Sequence, residues 1–253
     1  MALSWGEITH ITKVDPAKTL PQELTVLRDT DLVMVGGSDN VTEANTLETV
    51  DRIRTSVPDI PILQEPYSSG QISKETVKAV DYLSIPAVYN GDRDHFYTKH
   101  LSFFTSLTTK AEEITGTGLP VVGDLIASKG RDAVADVAAK LLPEGYVIQN
   151  LDSKAARVTG VERRFSEDEI AGTALATETF YQFPIMYIEY SGMYGGPSDV
   201  EAAAKFLDET VLLYGGGIQS HEQAREILSA GADAIVVGDC FHDDPARFRR
   251  TIP

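Results

Sequence analysis

Three segments of the chain repeat one unit: a short apolar run, a glycine turn and then a polar helix start. The first, residues 184–192, leads apolar and aromatic side chains into Glu189 and Ser191. The second, residues 210–218, ends with three consecutive glycines, and the third, residues 233–238, ends with one. Such a run is typical of a buried parallel strand that delivers polar groups at its C-terminal end.

The same layout predicts five earlier strands, and helical stretches separate most of them. The eight strand candidates are residues 8–14, 31–37, 60–64, 81–85 (closed by Pro86), 145–150 and the three segments above, and the helix candidates are residues 21–28, 43–55, 96–114, 131–142 and 167–183. Alternating strands and helices predict parallel strands with right-handed crossovers. Eight strands in 253 residues favour one TIM-barrel-like (β/α)8 domain over residues 1–253, because such barrels usually have about 250 residues.

Composition argues against several classes of protein. No apolar run approaches the roughly 18 residues of a membrane span, and the N-terminus lacks the pattern of a signal peptide. The single cysteine, Cys240, cannot form an intramolecular disulfide framework or a zinc cluster. These features predict a cytoplasmic protein.

The chain is strongly acidic, with a formal net charge of −16. That charge repels nucleic acid. A docking surface for a cationic partner is one interpretation of the acidity, and a diffusely acidic solvated surface is the simpler one. A salt-rich cytoplasm, as in a halophilic archaeon, explains it most economically, because mobile ions screen the self-repulsion.

Glycine turns follow the seventh and eighth strand candidates. In (β/α)8 barrels these two loops frequently hold a phosphate, because glycines permit close backbone approach and free N–H groups point at the anion. Gly217 and Gly238, with the neighbouring Asp239, are therefore candidate phosphate contacts. The alternative is a pair of tight turns without a ligand.

Lys13 and Asp15 lie at the end of the first strand candidate and just beyond it. Residues two apart on a strand face the same side, and a cation beside a carboxylate suits a phosphorylated substrate with a hard metal ion. A plain ion pair is the alternative. Ser38, which follows two glycines after the second strand, offers a further oxygen ligand.

Glu189 is the sharpest catalytic candidate. A carboxylate among apolar neighbours costs several kcal/mol to bury unless it is paired or has a task. A structural salt bridge is the alternative. His10 is expected to be a core histidine, because no acid or nucleophile stands at a recognisable spacing from it.

Six co-linear motifs resemble the geranylgeranylglyceryl phosphate synthases and extend from the first strand to the C-terminus. They comprise residues 10–16, 36–38, 150–159, 187–192, 214–218 and 236–238. The resemblance implies a TIM-barrel-like fold in which irregular chain replaces one helix. Bacterial relatives of this family use a longer prenyl chain, and its members commonly form dimers or larger assemblies, so a homodimer is expected.

The implied reaction transfers a geranylgeranyl group from geranylgeranyl diphosphate to the C3 hydroxyl of sn-glycerol 1-phosphate, with Mg²⁺ and release of diphosphate. It forms the first ether bond of archaeal membrane lipids. By motif position, Asp15 and Ser38 would bind the Mg²⁺, Glu189 would accept the hydroxyl proton, and glycerol 1-phosphate would lie against Lys13, Tyr187, Ile188, Glu189, Tyr190, Ser191, Gly192, Gly217, Gly238 and Asp239. The family usually has Asn in place of Asp239, and a carboxylate repels phosphate, so Asp239 is expected either to use only its backbone N–H or to point its side chain away.

The segment beginning at Lys99 and His100 resembles the family's Lys-His segment, whose following helix lines the far end of the prenyl groove. A bulky residue there accompanies the shorter C20 donor. By that correspondence Phe103 is expected to limit the chain length.

Two other functions fit parts of the pattern. A phosphosugar isomerase or aldolase-type barrel would share the phosphate loops and use Glu189 on a carbon acid, but it leaves Asp15 and Ser38 without a role. A non-catalytic barrel that binds a phosphate ligand or a lipid would be stabilised by its ligand without turnover.

Overall fold

The protein was analysed as a computed structural model that describes residues 3–37, 39–109, 132 and 134–253. Ser38, the predicted second metal ligand, lies outside the described residues. So do the end of the predicted helix over residues 96–114 and the start of the one over residues 131–142.

Eight parallel strands close into a barrel in chain order, and β1 pairs with both β2 and β8. The strands are β1 (His10–Val14), β2 (Leu32–Val35), β3 (Ile62–Gln64), β4 (Tyr82–Val88), β5 (Leu141–Ile148), β6 (Ile185–Glu189), β7 (Val211–Gly215) and β8 (Ala234–Val237). The predicted barrel is confirmed, and every strand candidate corresponds to one strand of it.

Helices cover the outside of the barrel. They are α1 (Glu43–Ser56), α2 (Lys74–Ala79), α3 (Lys99–Thr109), α4 (Lys154–Val158), α5 (Glu167–Ala176), α6 (Ser198–Ala204), α7 (His221–Ser229), α8 (Asp239–Asp243) and α9 (Pro245–Phe248). Capping boxes begin two of these helices: Thr42 and Asn45 cap α1 reciprocally, and Ser166 and Glu169 cap α5. Each cap satisfies two backbone N–H groups that a helix start leaves unpaired.

Several predicted boundaries were wrong for identifiable reasons. The predicted helix over residues 21–28 is a 3₁₀ helix, Leu24–Asp29, so irregular chain replaces an α-helix between β1 and β2. β5 begins at Leu141, inside the predicted helix over residues 131–142. The predicted helix over residues 167–183 ends in a π-helical turn, Thr177–Tyr181.

Pro86 lies within β4 instead of ending it. The amides of Leu83 and Tyr89 both donate toward the β5 side, so the even-numbered residues between them direct their nitrogens toward β3. β3 pairs with β4 only as far as Leu83. A proline is therefore tolerated, because no partner on that side needs its missing N–H.

Strand register decides which side chains reach the barrel interior. Tyr146 pairs with Tyr187, and Ile148 pairs with Glu189, and alternate residues along a strand face the same side. Tyr187 belongs to the inner apolar cluster, whereas Ile188 packs in the layer between barrel and helices. The C-terminal ends of the strands therefore surround one central space.

Among the described residues, no helix is long and apolar enough to cross a membrane.

Candidate active site

A cavity of about 360 Å³ opens at the C-terminal end of the barrel. Both the strand ends and the loops that follow them line it. The polar and charged residues that line it include Lys13, Asp15, Glu65, Lys99, Tyr187 and Glu189. The cavity lies where (β/α)8 barrels hold their active sites.

Glu189, the last residue of β6, points into this cavity and is only 3% exposed. Its Oε1 accepts the N–H of Ser191 at 3.0 Å, and its buried Oε2 has no hydrogen-bond partner among the described residues. Burial raises the pKa of Glu189 to about 7, although the charge of Lys13 opposes the shift. A carboxylate with a free oxygen and a pKa near neutrality is suited to accept a proton.

Lys13 projects from β1 into the same space, and its Nζ lies 2.6 Å from Oε2 of Glu65. It also lies 5.7 Å from the ring centroid of Tyr187. Burial alone would lower the pKa of Lys13, but the charges of Glu65, Glu189 and then Glu144 outweigh it and raise that pKa. Lys13 therefore pairs with Glu65 and not with Asp15, the partner that sequence spacing suggested, and stays a cation.

Asp15 stands at the rim, just beyond β1. Its Oδ1 accepts the N–H of Ala17 at 2.9 Å, and its own N–H donates to Nε2 of His242 at 3.0 Å. A Cβ added to Gly37 would lie 2.5 Å from Oδ1 of Asp15. The loops after β1 and β2 therefore meet at this carboxylate, and Gly37 is the neighbour of Ser38.

The described residues contain no cluster of three or more His, Cys, Asp or Glu that could hold a metal ion. A site with one protein carboxylate is still compatible with Mg²⁺, which often takes one or two carboxylates together with substrate phosphate oxygens.

Residues 187–192, the predicted substrate contacts, lie either at the cavity and its rim or on the opposite side of β6. Tyr187 and Glu189 face the cavity, and Ser191 and Gly192 lie exposed at its rim. Ile188 and Tyr190 are buried on the opposite side of β6, and the hydroxyl of Tyr190 donates to Asp199. Only the backbone of these two residues is oriented to contribute to the cavity.

The phosphate-loop glycines differ in how strictly the fold requires them. Gly217 has φ +57°, and a Cβ there would lie 2.4 Å from the backbone nitrogen of Tyr194. At Gly238 the nearest atom to an added Cβ, the carbonyl oxygen of Lys13, is 3.5 Å away. Gly217 is thus locked against the loop after β6, whereas Gly238 has room.

Asp239 begins α8, and its carboxylate is turned to solvent. Oδ1 of Asp239 lies 2.9 Å from Nζ of Lys18. The ion pair offsets the negative charge that Asp239 brings to the predicted phosphate loop, and Asp239 is among the residues that line the cavity.

Three charged residues in or near the cavity were not among the predicted site residues: Glu65, Lys99 and Glu144. Glu65 follows the apolar run of β3 just as Glu189 ends β6, so the same signal marks it. Glu144 is 0% exposed and lies within β5. Because the predicted helix ended at residue 142 and the predicted strand began at residue 145, Glu144 lay outside both.

His10 is a core histidine, as predicted. Its ring nitrogens lie 2.8 Å from Oγ1 of Thr30 and 3.1 Å from Oγ1 of Thr251. Burial lowers its pKa to about 4, so the ring is neutral and takes no part in the cavity.

Phe103 lies one helical turn beyond Lys99 on α3 and is 2% exposed. Its ring lies 5.8 Å from that of Phe104, which is 48% exposed. Phe103 packs in the hydrophobic core between the barrel and its helices and is not among the described residues that line the cavity, so its effect on chain length stays a prediction.

Comparisons with known proteins agree with this architecture. The sequence model of the PcrB family matches residues 3–252. The chain is 32% identical over 248 residues to the geranylgeranylglyceryl phosphate synthase of Methanoculleus marisnigri, and the alignment covers 96% of this chain and 94% of that protein. It is 35% identical over 245 residues to the heptaprenylglyceryl phosphate synthase of Lysinibacillus sphaericus, with 96% and 93% covered.

Among solved structures, the fold is similar to that of (S)-3-O-geranylgeranylglyceryl phosphate synthase from Thermoplasma acidophilum, which was determined with its substrate sn-glycerol-1-phosphate. The TM-score is 0.66 at 21% identity, with 97% of this chain and 91% of that chain covered. At this identity the likeness supports the fold.

Proposed function

The chain belongs to the PcrB family, and on that premise we propose that it transfers a prenyl group from a prenyl diphosphate to the C3 hydroxyl of sn-glycerol 1-phosphate. Two relatives that cover nearly the whole chain are named as prenylglyceryl phosphate synthases. The product is an ether, the first ether bond of an archaeal membrane lipid.

The observation that carries this proposal is the free, buried oxygen of Glu189 in the cavity. The C3 hydroxyl gives its proton to Oε2 of Glu189 while its oxygen forms a bond to C1 of the prenyl group. The bond between C1 and the diphosphate oxygen breaks, and diphosphate leaves with the electron pair. Glu189 thus orients the nucleophile and removes its proton.

The phosphate of glycerol 1-phosphate is assigned to the loops after β7 and β8. There the backbone N–H groups near Gly217 and Gly238 serve as donors. Asp239 contributes its N–H, since its carboxylate pairs with Lys18. Lys13, held by Glu65, supplies positive charge from the neighbouring strand β1, which pairs with β8 and lies beside Gly238.

Asp15 is assigned to Mg²⁺, together with Ser38. The close approach of Gly37 to the carboxylate of Asp15 supports this assignment, because it places the chain next to Ser38 at that oxygen. When bound, Mg²⁺ neutralises the charge that develops on the leaving diphosphate.

Geranylgeranyl diphosphate is the proposed donor. The two relatives carry the names of different chain lengths at similar identity, so the distinction rests on Phe103. A buried aromatic side chain at that position fills space that further isoprene units would need.

The test is product mass. The purified protein is incubated with glycerol 1-phosphate, Mg²⁺ and a mixture of C20 and C35 prenyl diphosphates, and the ether products are identified by mass spectrometry. Geranylgeranylglyceryl phosphate as the main product supports the proposal. Ligand-induced thermal stabilisation without any ether product would instead favour a non-catalytic barrel.

A further inference from the structure

Glu144 is a buried carboxylate that the reaction described above does not use. It lies inside the barrel on β5 with no exposed surface. Its Oε2 accepts the hydroxyl of Ser84 at 2.7 Å, and its Oε1 has no hydrogen-bond partner among the described residues. An ionised carboxylate left half unsatisfied at such a depth is costly.

Glu65 is a second carboxylate with one buried oxygen that lacks a hydrogen-bond partner within the residues described. Its Oε2 takes the ammonium of Lys13, and its buried Oε1 has no partner in the described part of the chain. Glu65 directly follows Gln64, the residue of β3 that pairs with Leu83, and Ser84, the next residue of β4, is the hydrogen-bond donor to Glu144. The charge of Glu65 acts on Glu144 across this strand, and each carboxylate has one oxygen without a partner among the described residues.

The charges inside the barrel balance only if one glutamate is neutral. Besides Glu144, the groups that face this region from β1, β3, α3, β5 and β6 are Lys13, Glu65, Lys99, Tyr146, Tyr187 and Glu189. Two lysines oppose three glutamates. A site that must accept a phosphate and a diphosphate gains nothing from an excess carboxylate.

We propose that Glu144 keeps a proton during turnover and donates it to the free oxygen of Glu65, and that Glu144 thereby acts as a positioning residue for Lys13. Ser84 orients the acid through its other oxygen. Glu65 is then held on both oxygens, and Lys13 is fixed where it meets the substrate phosphate. The role assigned to Lys13 rests on the proposed function, whereas the proton on Glu144 does not.

The direction of the pKa shift agrees with this geometry. Burial and then the charge of Glu65 raise the pKa of Glu144 to about 8, against the opposing effects of Ser84, Lys13 and Lys99. Glu65 is the member of the pair that bonds an ammonium, so the negative charge belongs on Glu65 and the proton on Glu144.

The first test measures the proton without using activity. It uses infrared spectroscopy of protein labelled with ¹³C-glutamate in the Glu189→Gln background, which removes the other glutamate with a raised pKa. We expect a carbonyl band of a protonated carboxylic acid near neutral pH that is lost with Glu144→Gln and that fades as pH rises beyond about 8. Absence of any band that depends on Glu144 would overturn the proposal, whatever the enzyme's activity.

The second test uses two substitutions in otherwise intact protein. Glu144→Gln offers one donor and one acceptor, like the protonated acid, whereas Glu144→Leu offers neither. We expect Glu144→Leu to raise KM for glycerol 1-phosphate by roughly tenfold or more and Glu144→Gln to restore most of that loss, with folding of both checked by thermal melting. If Glu144→Leu does not fold, Ser84→Ala, which removes the orienting hydroxyl, is expected to raise the same KM by a smaller factor.

The pH profile separates Glu144 from Lys99, whose pKa burial lowers to about 8. Activity of the wild type should fall at alkaline pH, and Glu144→Gln should weaken that fall more than the control Lys99→Met does. If Lys99→Met abolishes the fall in activity at alkaline pH and Glu144→Gln leaves it unchanged, the fall belongs to Lys99. That result would contradict the proposal. An infrared band that depends on Glu144, together with a wild type that makes no ether, would contradict the proposed function and leave the proton on Glu144 intact.

Discussion

The barrel interior and the outer surface use the same side chain in opposite ways. Glu189 is buried at the end of β6, and desolvation raises its pKa to about 7. Glu169 lies on the surface in the first turn of α5, where hydrogen bonds from Arg163 and then from the N–H of Ser166 lower its pKa to about 2. One glutamate is poised to take a proton and the other is held ionised.

An acidic residue in this chain is therefore not by itself evidence of a catalytic role. Among the described residues, the carboxylates with a raised pKa, Glu144 and Glu189, both lie on strands with their side chains inside the barrel. A surface carboxylate is stabilised by water and by its partners, whereas an interior one has to be neutralised or given a reaction.

The largest expected effect concerns the catalytic role proposed for Glu189. Glu189→Gln is nearly isosteric but cannot accept a proton, so we expect prenyl transfer to fall by roughly 10²-fold or more, with folding retained. Glu169→Gln is the matched control and should keep wild-type turnover. Initial rates at saturating substrates check both, and near wild-type turnover of Glu189→Gln would leave that carboxylate a structural role only.

The two phosphate-loop glycines offer the next comparison. Gly217→Ala forces a side chain onto a left-handed backbone against the nitrogen of Tyr194, a strain of about 1–3 kcal/mol. Weaker binding of glycerol 1-phosphate is expected, by roughly 10- to 100-fold. Gly238→Ala, which has room for its methyl group, should change the Kd little. Equal losses in calorimetric titrations of the two variants would mean that the backbone strain at residue 217 does not control binding.

Substitutions of the buried Phe103 and the exposed Phe104 on α3 test what limits the length of the prenyl donor. Removing the ring of Phe103 should relieve overpacking of a longer donor, a cost of about 1–3 kcal/mol, so Phe103→Ala should raise relative kcat/KM for C35 over C20 diphosphate. Phe104→Ala, at the exposed neighbouring position, serves as control. An unchanged ratio for Phe103→Ala would place that ring away from the prenyl groove.

The contributions of Glu189 and Glu169 to folding stability should change with pH in opposite directions. The folded protein holds a proton on Glu189 more tightly than the unfolded chain, so its contribution to stability is lost as pH rises from about 5 through about 7. Glu189→Gln should therefore gain stability relative to wild type at pH 8, by up to about 3 kcal/mol. Glu169→Gln should show the opposite trend, because the stability from its lowered pKa is present at pH 8 and is lost as pH falls through the folded value. Melting curves of both variants across pH check this, and parallel trends would contradict it.

The smallest expected effect concerns the whole surface. With a net charge of −16, the melting temperature should be higher in salt of about 1 M than at low ionic strength, because screening over a few ångströms removes self-repulsion. A melting temperature that is flat or falls over that range would refute the halophilic interpretation.

The pattern of apolar runs along the chain was sufficient to predict the barrel but not the ends of its strands and helices. The apolar runs and the capping boxes at Thr42 and Ser166 depend on local sequence, so they could be predicted. The interior position of Pro86 in β4 could not, because it depends on where β3 stops pairing. The start of β5 was missed for a similar reason, since strand pairing with β4 extends it back to Leu141.

The sequence by itself determined the order of strands, the glycine turns and the carboxylate at the end of β6, because each is a property of a few adjacent residues. Only the tertiary structure decided that Lys13 pairs with Glu65, that Lys18 neutralises Asp239, and that Glu144 lies inside the barrel. Those relations join residues far apart in the chain. The burial that changes the pKa of a carboxylate exists only once the barrel has closed around it.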